Sequence, residues 1–528
     1  MASDWLPGRR VARHPDPEAV VELLKRWIER SSKRQQKYPN ENQPQKFPKR
    51  LIDVSKGDGS IVYLTDFSQI SVQNFNPKGY YICLSHRWDS TTALHTTTTA
   101  NFSTRLRGIP TNNLPQTFAD AIYLTRALGL KYIWIDSYCI LQDSLKDWEE
   151  ESAKMGTYYN SSWLTIGAGV ESSKGLFGTR DETSDNIQYY RMILHSPDPW
   201  ILYFTATPTT WSLGNDQDSI LRERAWAFQE EVLSPRYLGF QQSMMFYRSG
   251  DYIDFEDGLL QWIRPPEQLI AYGEEPLQES DLYGDWYHLV TAYSRRDLTK
   301  DGDKLPALSG LAHRRQMVLK DQYLAGLWRL NLLRELCWHK ESVEGPSTRP
   351  PQYRAPTWSW AALNCPVTLS FRFLHYPSNE FEVELLHASV DTLGLDPLGA
   401  VKSGFLKLAG IIRPGMRIRG DRASFDESHD GSDRDAFVLL DADGNIECKT
   451  DYSFRPDTTD FPDSVQVFWF LNVTSQLGLA LLPIPSSKFP WSEVTYERVG
   501  FIEVYQDWRS KEVVSLDKSL RRRVVNII

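Results

Sequence analysis

The feature that most constrains this chain is an alternation of strand-like and helix-like runs between residues 80 and 241. Tyr80 to Ser85 is an unbroken apolar run. Leu114 to Leu130 carries Phe118, Ile122, Leu124, Thr125 and Leu128 at helical spacing, with Pro115 suited to a first turn and Gly129 to a stop. Tyr132 to Asp136 reads as a buried strand, Asp147 to Tyr159 as a helix and Trp163 to Ala168 as a third strand. After a long excursion, Ala225 to Leu233 reads as a helix and Tyr237 to Gln241 as a strand. Buried strands alternating with helices predict a parallel sheet covered on both faces.

The flanking sequence is different in kind. Residues 16 to 32 place Val20, Val21, Leu23, Leu24, Trp27 and Ile28 on one helical face, and the polar stretch from Ser31 to Lys49 reads as a linker. Arg50 to Val54 and Ile61 to Leu64 read as a hairpin around Gly57-Asp58-Gly59. Residues 282 to 340 look helical, anchored by Trp286, Tyr293, Trp328 and Trp338. From about residue 366 apolar strands are separated by Gly, Pro and Asp turns: Leu406 to Ile412, Val438 to Leu440, Val465 to Leu471, Leu477 to Leu482 and Val499 to Tyr505. The expected organisation is an N-terminal helix and linker (1–47), an α/β domain (48–250), a helical extension (251–365) and a C-terminal β-rich domain (366–528).

Composition narrows the function classes. A net charge of −9 without a long Lys/Arg run argues against a nucleic-acid grip. Five cysteines, Cys83, Cys139, Cys337, Cys365 and Cys448, form no CxxC pair, which fits a reducing compartment. The first residues lack a signal-peptide pattern, and no apolar run approaches the ~18 residues of a membrane span. The expectation is a cytoplasmic protein without a membrane span. The 18 Trp residues must be buried or used at interfaces. No GxxxxGK[ST] loop, HExxH or Gly-x-Ser-x-Gly element occurs.

Several segments stand in a fixed order: Tyr81-Ile-Cys-Leu-Ser-His-Arg-Trp88; Leu114-Pro-Gln-Thr-Phe-Ala-Asp-Ala-Ile122; Tyr132-Ile-Trp-Ile-Asp-Ser-Tyr-Cys-Ile-Leu-Gln-Asp143; Asp147-Trp148 with Met155 and Tyr159; and Arg224-Ala-Trp-Ala-Phe-Gln-Glu-Glu-Val-Leu-Ser-Pro-Arg236. This ordered set resembles the fungal heterokaryon-incompatibility (HET) domain. Leu305 to Ala312, Tyr323 to Trp328 and Ala355-Pro-Thr-Trp-Ser-Trp360 resemble segments that follow the domain in such proteins. Two positions depart from the pattern: Asp89 follows Trp88 where the family usually has Gly, and Arg87 stands where Cys is common. A Gly there would suit a turn with positive φ, so the local loop is expected to differ.

The resemblance implies a role in incompatibility and programmed cell death. It also implies a TIR/flavodoxin-like α/β fold, because the domain is likened to TIR domains, some of which cleave NAD. In that likeness a Trp-x-x-x-Glu pattern carries the catalytic carboxylate; here it is Trp226 to Glu230. Glu230 is therefore the expected catalytic residue. Ser85, His86, Asp136 and Trp226 are the expected binding residues, since ligands sit outside the carboxyl ends of parallel strands. One carboxylate could stabilise the oxocarbenium-like charge of nicotinamide–ribose cleavage. NAD or a related nucleotide would be substrate, with no resident cofactor and no metal.

Plainer readings stand beside these. Trp226 is more often a core anchor than a pocket wall, and Glu230 suits a surface partner of Arg222 or Arg236. Asp136 suits a turn cap and His86 a hydrogen-bonded turn residue. Asp120 and Asp143 read as surface charges that brace the fold, and Glu149 to Glu151 as a solvated first turn. Cys139, with His86 and Asp136, is a candidate thiol nucleophile. The non-enzymatic reading is a self-associating or partner-binding module that uses its Trp and Tyr residues at interfaces.

Overall fold

The computed structural model describes residues 11–34, 47–56, 59–68, 81–180, 189–194, 200–205, 219–250, 252–258, 260–262, 279–341, 346–369, 381–418, 436–439, 451–458, 467–474, 477–484, 494–505 and 522–528. The chain forms two compact units. One comprises Met1–Glu274, Arg296–Leu298 and Ala307–Leu311; the other comprises Glu275–Arg295, Thr299–Pro306 and Ala312–Ile528.

The first unit begins with α1 (Pro17–Arg34), then β1 (Arg50–Asp53), β2 (Ile61–Asp66) and β3 (Tyr81–His86). Next come α2 (Ser90–Ala93), α3 (Phe102–Arg107), β4 (Ile109–Pro110), α4 (Gln116–Ala127), β5 (Tyr132–Ile135) and α5 (Asp136–Cys139). They are followed by α6 (Leu145–Ser152), α7 (Met155–Ser161), β6 (Leu164–Ala168) and a hairpin of β7 (Tyr189–Leu194) and β8 (Trp200–Thr205). The unit closes with α8 (Ala225–Leu233), β9 (Arg236–Phe240), β10 (Met245–Ser249), β11 (Tyr252–Phe255) and β12 (Leu260–Trp262).

Its ten-stranded sheet runs β12-β11-β10-β9-β6-β3-β5-β1-β2-β4. The expected parallel sheet is its centre only. Strands β5, β3, β6 and β9 are parallel, and the strands on both flanks are antiparallel. The physical reason is connection length. The central strands are joined through helices, whereas β9 to β12 follow one another through short turns that permit only antiparallel pairing. Helices cover both faces. Cys83 approaches the Tyr158 carbonyl of α7 at 3.8 Å, and His86, on the opposite face of the strand, meets Phe118 of α4 edge-on with ring centroids 4.8 Å apart. Helix α1 packs on the antiparallel flank, where Trp27 stacks with Tyr247 of β10 at 6.1 Å.

Local chemistry sets several element ends. Pro115 occupies the N-cap of α4 rather than its first turn, and Gly129 takes φ +74 just past its end. The helix expected over 147–159 is two helices, with Ala153 and Lys154 between them. Asp89 is extended at φ −131, so no positive-φ turn exists there. Its carboxylate accepts from the Thr91 and Thr92 amides in a capping box that starts α2. Asp120 is buried, not a surface charge; it accepts from Gln116 Nε2 and the Leu176 amide at 2.7 Å each. Glu151 is also buried, outside the first turn of its helix, and accepts from the Tyr158 hydroxyl at 3.0 Å. Asp143 does brace a neighbouring loop, through Thr99.

The second unit contains α9 (Glu279–Ser294), most of α10 (Pro306–Leu319) and α11 (Leu332–Glu335). The stretch expected to be helical is interrupted by a tight hairpin of β13 (Tyr323–Leu324) and β14 (Leu327–Trp328). The indoles of Trp286 and Trp360 both donate to the Gly326 carbonyl at this turn, at 3.0 and 3.1 Å. Trp286, Trp328, Trp338, Trp358 and Trp360 are fully buried. Each removes about 150–250 Å² from water, or about 4–6 kcal/mol before entropy is subtracted. These tryptophans therefore serve the core.

After a short pair, β15 (His339–Lys340) and β16 (Val367–Thr368), an eight-stranded sheet follows. Its strands are β17 (Glu384–Thr392), β18 (Val401–Ile418), β19 (Ala436–Leu439), β20 (Asp451–Pro456), β21 (Val467–Asn472), β22 (Leu477–Pro483), β23 (Thr495–Tyr505) and β24 (Arg522–Ile527). Strand β24 pairs with both β18 and β23, which closes β18-β21-β22-β23-β24 into a barrel-like circuit. Residues 440 and 465–466 of the expected strands lie outside the described residues, as do Gly57-Asp58 and Cys448. Among the described residues no helix is long and apolar enough to cross a membrane.

Candidate functional site

The parallel centre creates a switch point. From β3 the chain crosses through α4 to β5 on one side, then returns to β6 on the other. The crevice at such a reversal, beyond the carboxyl ends of the strands, is where open α/β sheets bind ligands. Ser85 and His86 end β3, and Asp136 follows β5 directly. Helix α8 precedes β9, so its N-terminus lies at the same edge of the sheet.

Glu230 is only 1% exposed. It is buried because α8 is covered nearly all round: Ala225, Ala227, Phe228, Gln229, Val232 and Leu233 are buried as well. Burial pushes its carboxyl above the usual range; Arg224 pulls it back down, Asp136 adds to the rise, and the Ser85 and Tyr159 hydroxyls oppose it. The cation that matters to Glu230 is thus Arg224, rather than the expected Arg222 or Arg236. The Arg224 guanidinium also donates to the His86 carbonyl.

His86 is 2% exposed, with Nδ1 3.6 Å from Asp136 Oδ1. Burial lowers its pKa most; Asp136 counters that, and Arg224 reinforces it. Asp136 is held by two donors, the Trp88 indole at 2.8 Å and the Ser137 amide at 2.7 Å. The Trp88 ring lies nearly parallel to the His86 ring, with centroids 6.4 Å apart. Tyr159, whose hydroxyl donates to the Leu84 carbonyl at 3.4 Å, completes the wall beside Glu230.

Ser85, His86, Asp136 and Glu230 therefore form one electrostatic cluster. Trp226 lies one turn before Glu230 on α8 and is half-buried. Three buried polar atoms in or next to the cluster, Ser85 Oγ, His86 Nε2 and Ser137 Oγ, lack a well-formed hydrogen bond. Each such atom costs about 1–3 kcal/mol and calls for an explanation. Sequence reasoning gave no role to Trp88, Tyr159 or Arg224. Their signal was present, because all three lie in the motif segments, but which polar atoms they reach depends on the pairing of distant strands.

A cleft beside the cluster is lined by Gly167, Glu231, Tyr237, Gly239 and Arg296, among others. Gly167 lies opposite Ser85 in the sheet, and Gly239 opposite Gly167. Glu231, the neighbour of Glu230, thus faces the cleft. Cys139 offers little as a nucleophile: it is buried, and burial pushes its thiol up to about 12.

Residues 81–230 match the family model described as heterokaryon incompatibility protein (HET). No curated protein and no solved structure matches the chain. The matched segment opens on the first residue of β3 and closes on Glu230, so it spans three of the four parallel strands and the whole buried cluster. Residues 81–230 of this chain are a heterokaryon incompatibility (HET) domain.

Proposed function

We propose that this domain is an effector of heterokaryon incompatibility and cell death, and that it cleaves the nicotinamide–ribose bond of NAD or a related nucleotide. The observation that carries the reading is the Glu230 carboxylate within a buried polar cluster beside the topological switch point. Cleaving that bond builds positive charge on the ribose, and a fixed carboxylate in a water-poor site stabilises such charge strongly. Arg224 favours the ionised form of Glu230 against the pull of burial. Trp226 supplies an aromatic surface one turn away. Ser85, His86 and Asp136 supply polar groups for the ribose and its attacking water. NAD is substrate here, and the TIR-like resemblance of the Trp226 to Glu230 pattern supports the same assignment.

A second reading is a non-enzymatic module that associates with itself or a partner. The near-complete burial of Glu230 favours it, since a sealed carboxyl also serves as a core hydrogen-bonding group. The full chain, incubated with NAD over a range of protein concentrations, separates the two readings. Nicotinamide release by the wild type that Glu230→Gln abolishes supports the enzyme. Equal background release by both proteins, each folded and equally associated, supports the module.

A further inference from the structure

We propose that Asp136 and His86 form a proton-handling dyad, with His86 Nε2 taking the proton of the attacking water and Trp88 positioning Asp136. The inference rests on the NAD-cleaving reading for its chemistry but on separate geometry for its existence.

His86 Nδ1 faces Asp136 Oδ1 at 3.6 Å, just beyond hydrogen-bond contact. Such contacts between catalytic groups are often long before substrate binds and tighten afterwards. Asp136 itself is fixed. Trp88 Nε1 holds Oδ2 at 2.8 Å, and the Ser137 amide holds Oδ1 at 2.7 Å. A carboxylate in that place favours the tautomer with its proton on Nδ1, which leaves a lone pair on Nε2. That nitrogen is buried and makes no well-formed hydrogen bond. A buried base with an oriented far side and an unpartnered nitrogen on its near side is the arrangement a general base needs.

The charges facing the imidazole are Asp136 and Asp89, which favour the imidazolium, and Arg224, which opposes it. The Leu84 backbone also favours the charged form, and the Phe118 and Trp88 rings flank the imidazole. Burial outweighs these charges and holds the imidazole below its ordinary pKa, which favours the neutral form able to accept a proton.

The step balances without a further reagent. A water O–H bond breaks and its proton passes to Nε2. The oxygen forms a bond to the ribose anomeric carbon as the carbon–nitrogen bond breaks. The bond pair stays with nicotinamide, which leaves neutral, and His86 later releases the proton to solvent. Glu230 stabilises the charge on the sugar during the step.

Nitrogen-15 NMR of the histidine-labelled full chain tests the dyad without relying on turnover. His86→Asn identifies the resonance by its loss. The expected result is an Nδ1–H tautomer that titrates below 6.5, with Asp136→Asn moving the midpoint lower still. An Nε2–H tautomer, or a midpoint indifferent to Asp136→Asn, overturns the dyad. The second arm is the pH profile of nicotinamide release from NAD. The wild type should lose kcat on the acid side as His86 protonates. His86→Asn should lower kcat about 10²–10⁴-fold and leave only the acid limb that Glu230 sets. Trp88→Phe should lower kcat with KM unchanged. If Glu230→Gln is inactive while His86→Asn keeps the wild-type profile, the dyad fails and the glycohydrolase reading stands. If the wild type releases no nicotinamide, that reading fails and the base role falls with it, whatever tautomer the NMR finds.

Discussion

Arg498 in the second unit and Glu230 in the first are both buried charged side chains, and their surroundings are opposite. Arg498 donates from Nε and Nη2 to the two oxygens of Asp457, at 3.2 and 3.3 Å. Its Nη1 reaches the Leu336 carbonyl at 2.7 Å and Nη2 the Trp338 carbonyl at 2.6 Å, while the Trp338 ring lies 3.5 Å from the guanidinium carbon. Every nitrogen of the guanidinium has a partner. Around Glu230 and Asp136, by contrast, Ser85, His86 and Ser137 each keep a buried polar atom without a well-formed hydrogen bond. A fully answered buried charge holds a structure together. A buried charge among unanswered polar atoms costs stability, a cost that the proposed chemistry would explain.

The comparison can be broken most forcefully at Arg498. Arg498→Leu strands Asp457 as an unpaired buried carboxylate and should cost about 3–5 kcal/mol, read from the urea midpoint of the full chain. A loss below about 1 kcal/mol would remove the contrast.

Glu230→Gln should do the reverse. Its loss of NAD cleavage should be about 10²–10³-fold, the scale of one electrostatic stabiliser. Its stability should equal the wild type at pH 4 and exceed it at pH 8. The sign follows from the raised carboxyl of the folded state: its favourable contribution is present when protonated and is lost as pH rises through the elevated pKa, a loss that Gln avoids. Thermal melts at the two pH values check this, and a less stable variant at pH 8 would make Glu230 a structural group.

Trp88→Phe removes one donor to the Asp136 carboxylate, worth about 1.5–3 kcal/mol, and should sharpen the contrast by showing that this part of the cluster is braced. The smallest effect is expected at Asp89. Asp89→Ala deletes the cap of α2 and its bond to Ser172, for about 1 kcal/mol measured by chemical denaturation.

The sequence made some of this legible for definite reasons. Helix α8 spans the run expected from its pattern, because Ala225 to Leu233 is apolar and Pro235 forbids continuation. Strands β3, β5 and β6 were legible as short apolar runs bounded by polar residues. The antiparallel flanks were not, since pairing is a property of distant partners rather than of either strand. The break between α6 and α7 was hidden as well, since no Gly or Pro stands between Asp147 and Met155. Gly156 of α7 meets Gly310 so closely that an added Cβ would come within 2.7 Å of its Cα, and no local pattern announces that approach. At the site, the positions of Ser85, His86, Asp136 and Glu230 followed from strand ends and the motif. Their burial did not, because helical periodicity predicts one covered face and α8 is covered nearly all round. Asp89 looked like a local departure in sequence and is a helix cap in the fold.

The most direct test of the central claim is nicotinamide release from NAD by the purified full chain, followed beside Glu230→Gln at matched concentration and association state. The account predicts release by the wild type and a loss of about 10²–10³-fold in the variant, with the variant no less stable. Equal release by the two proteins would contradict it.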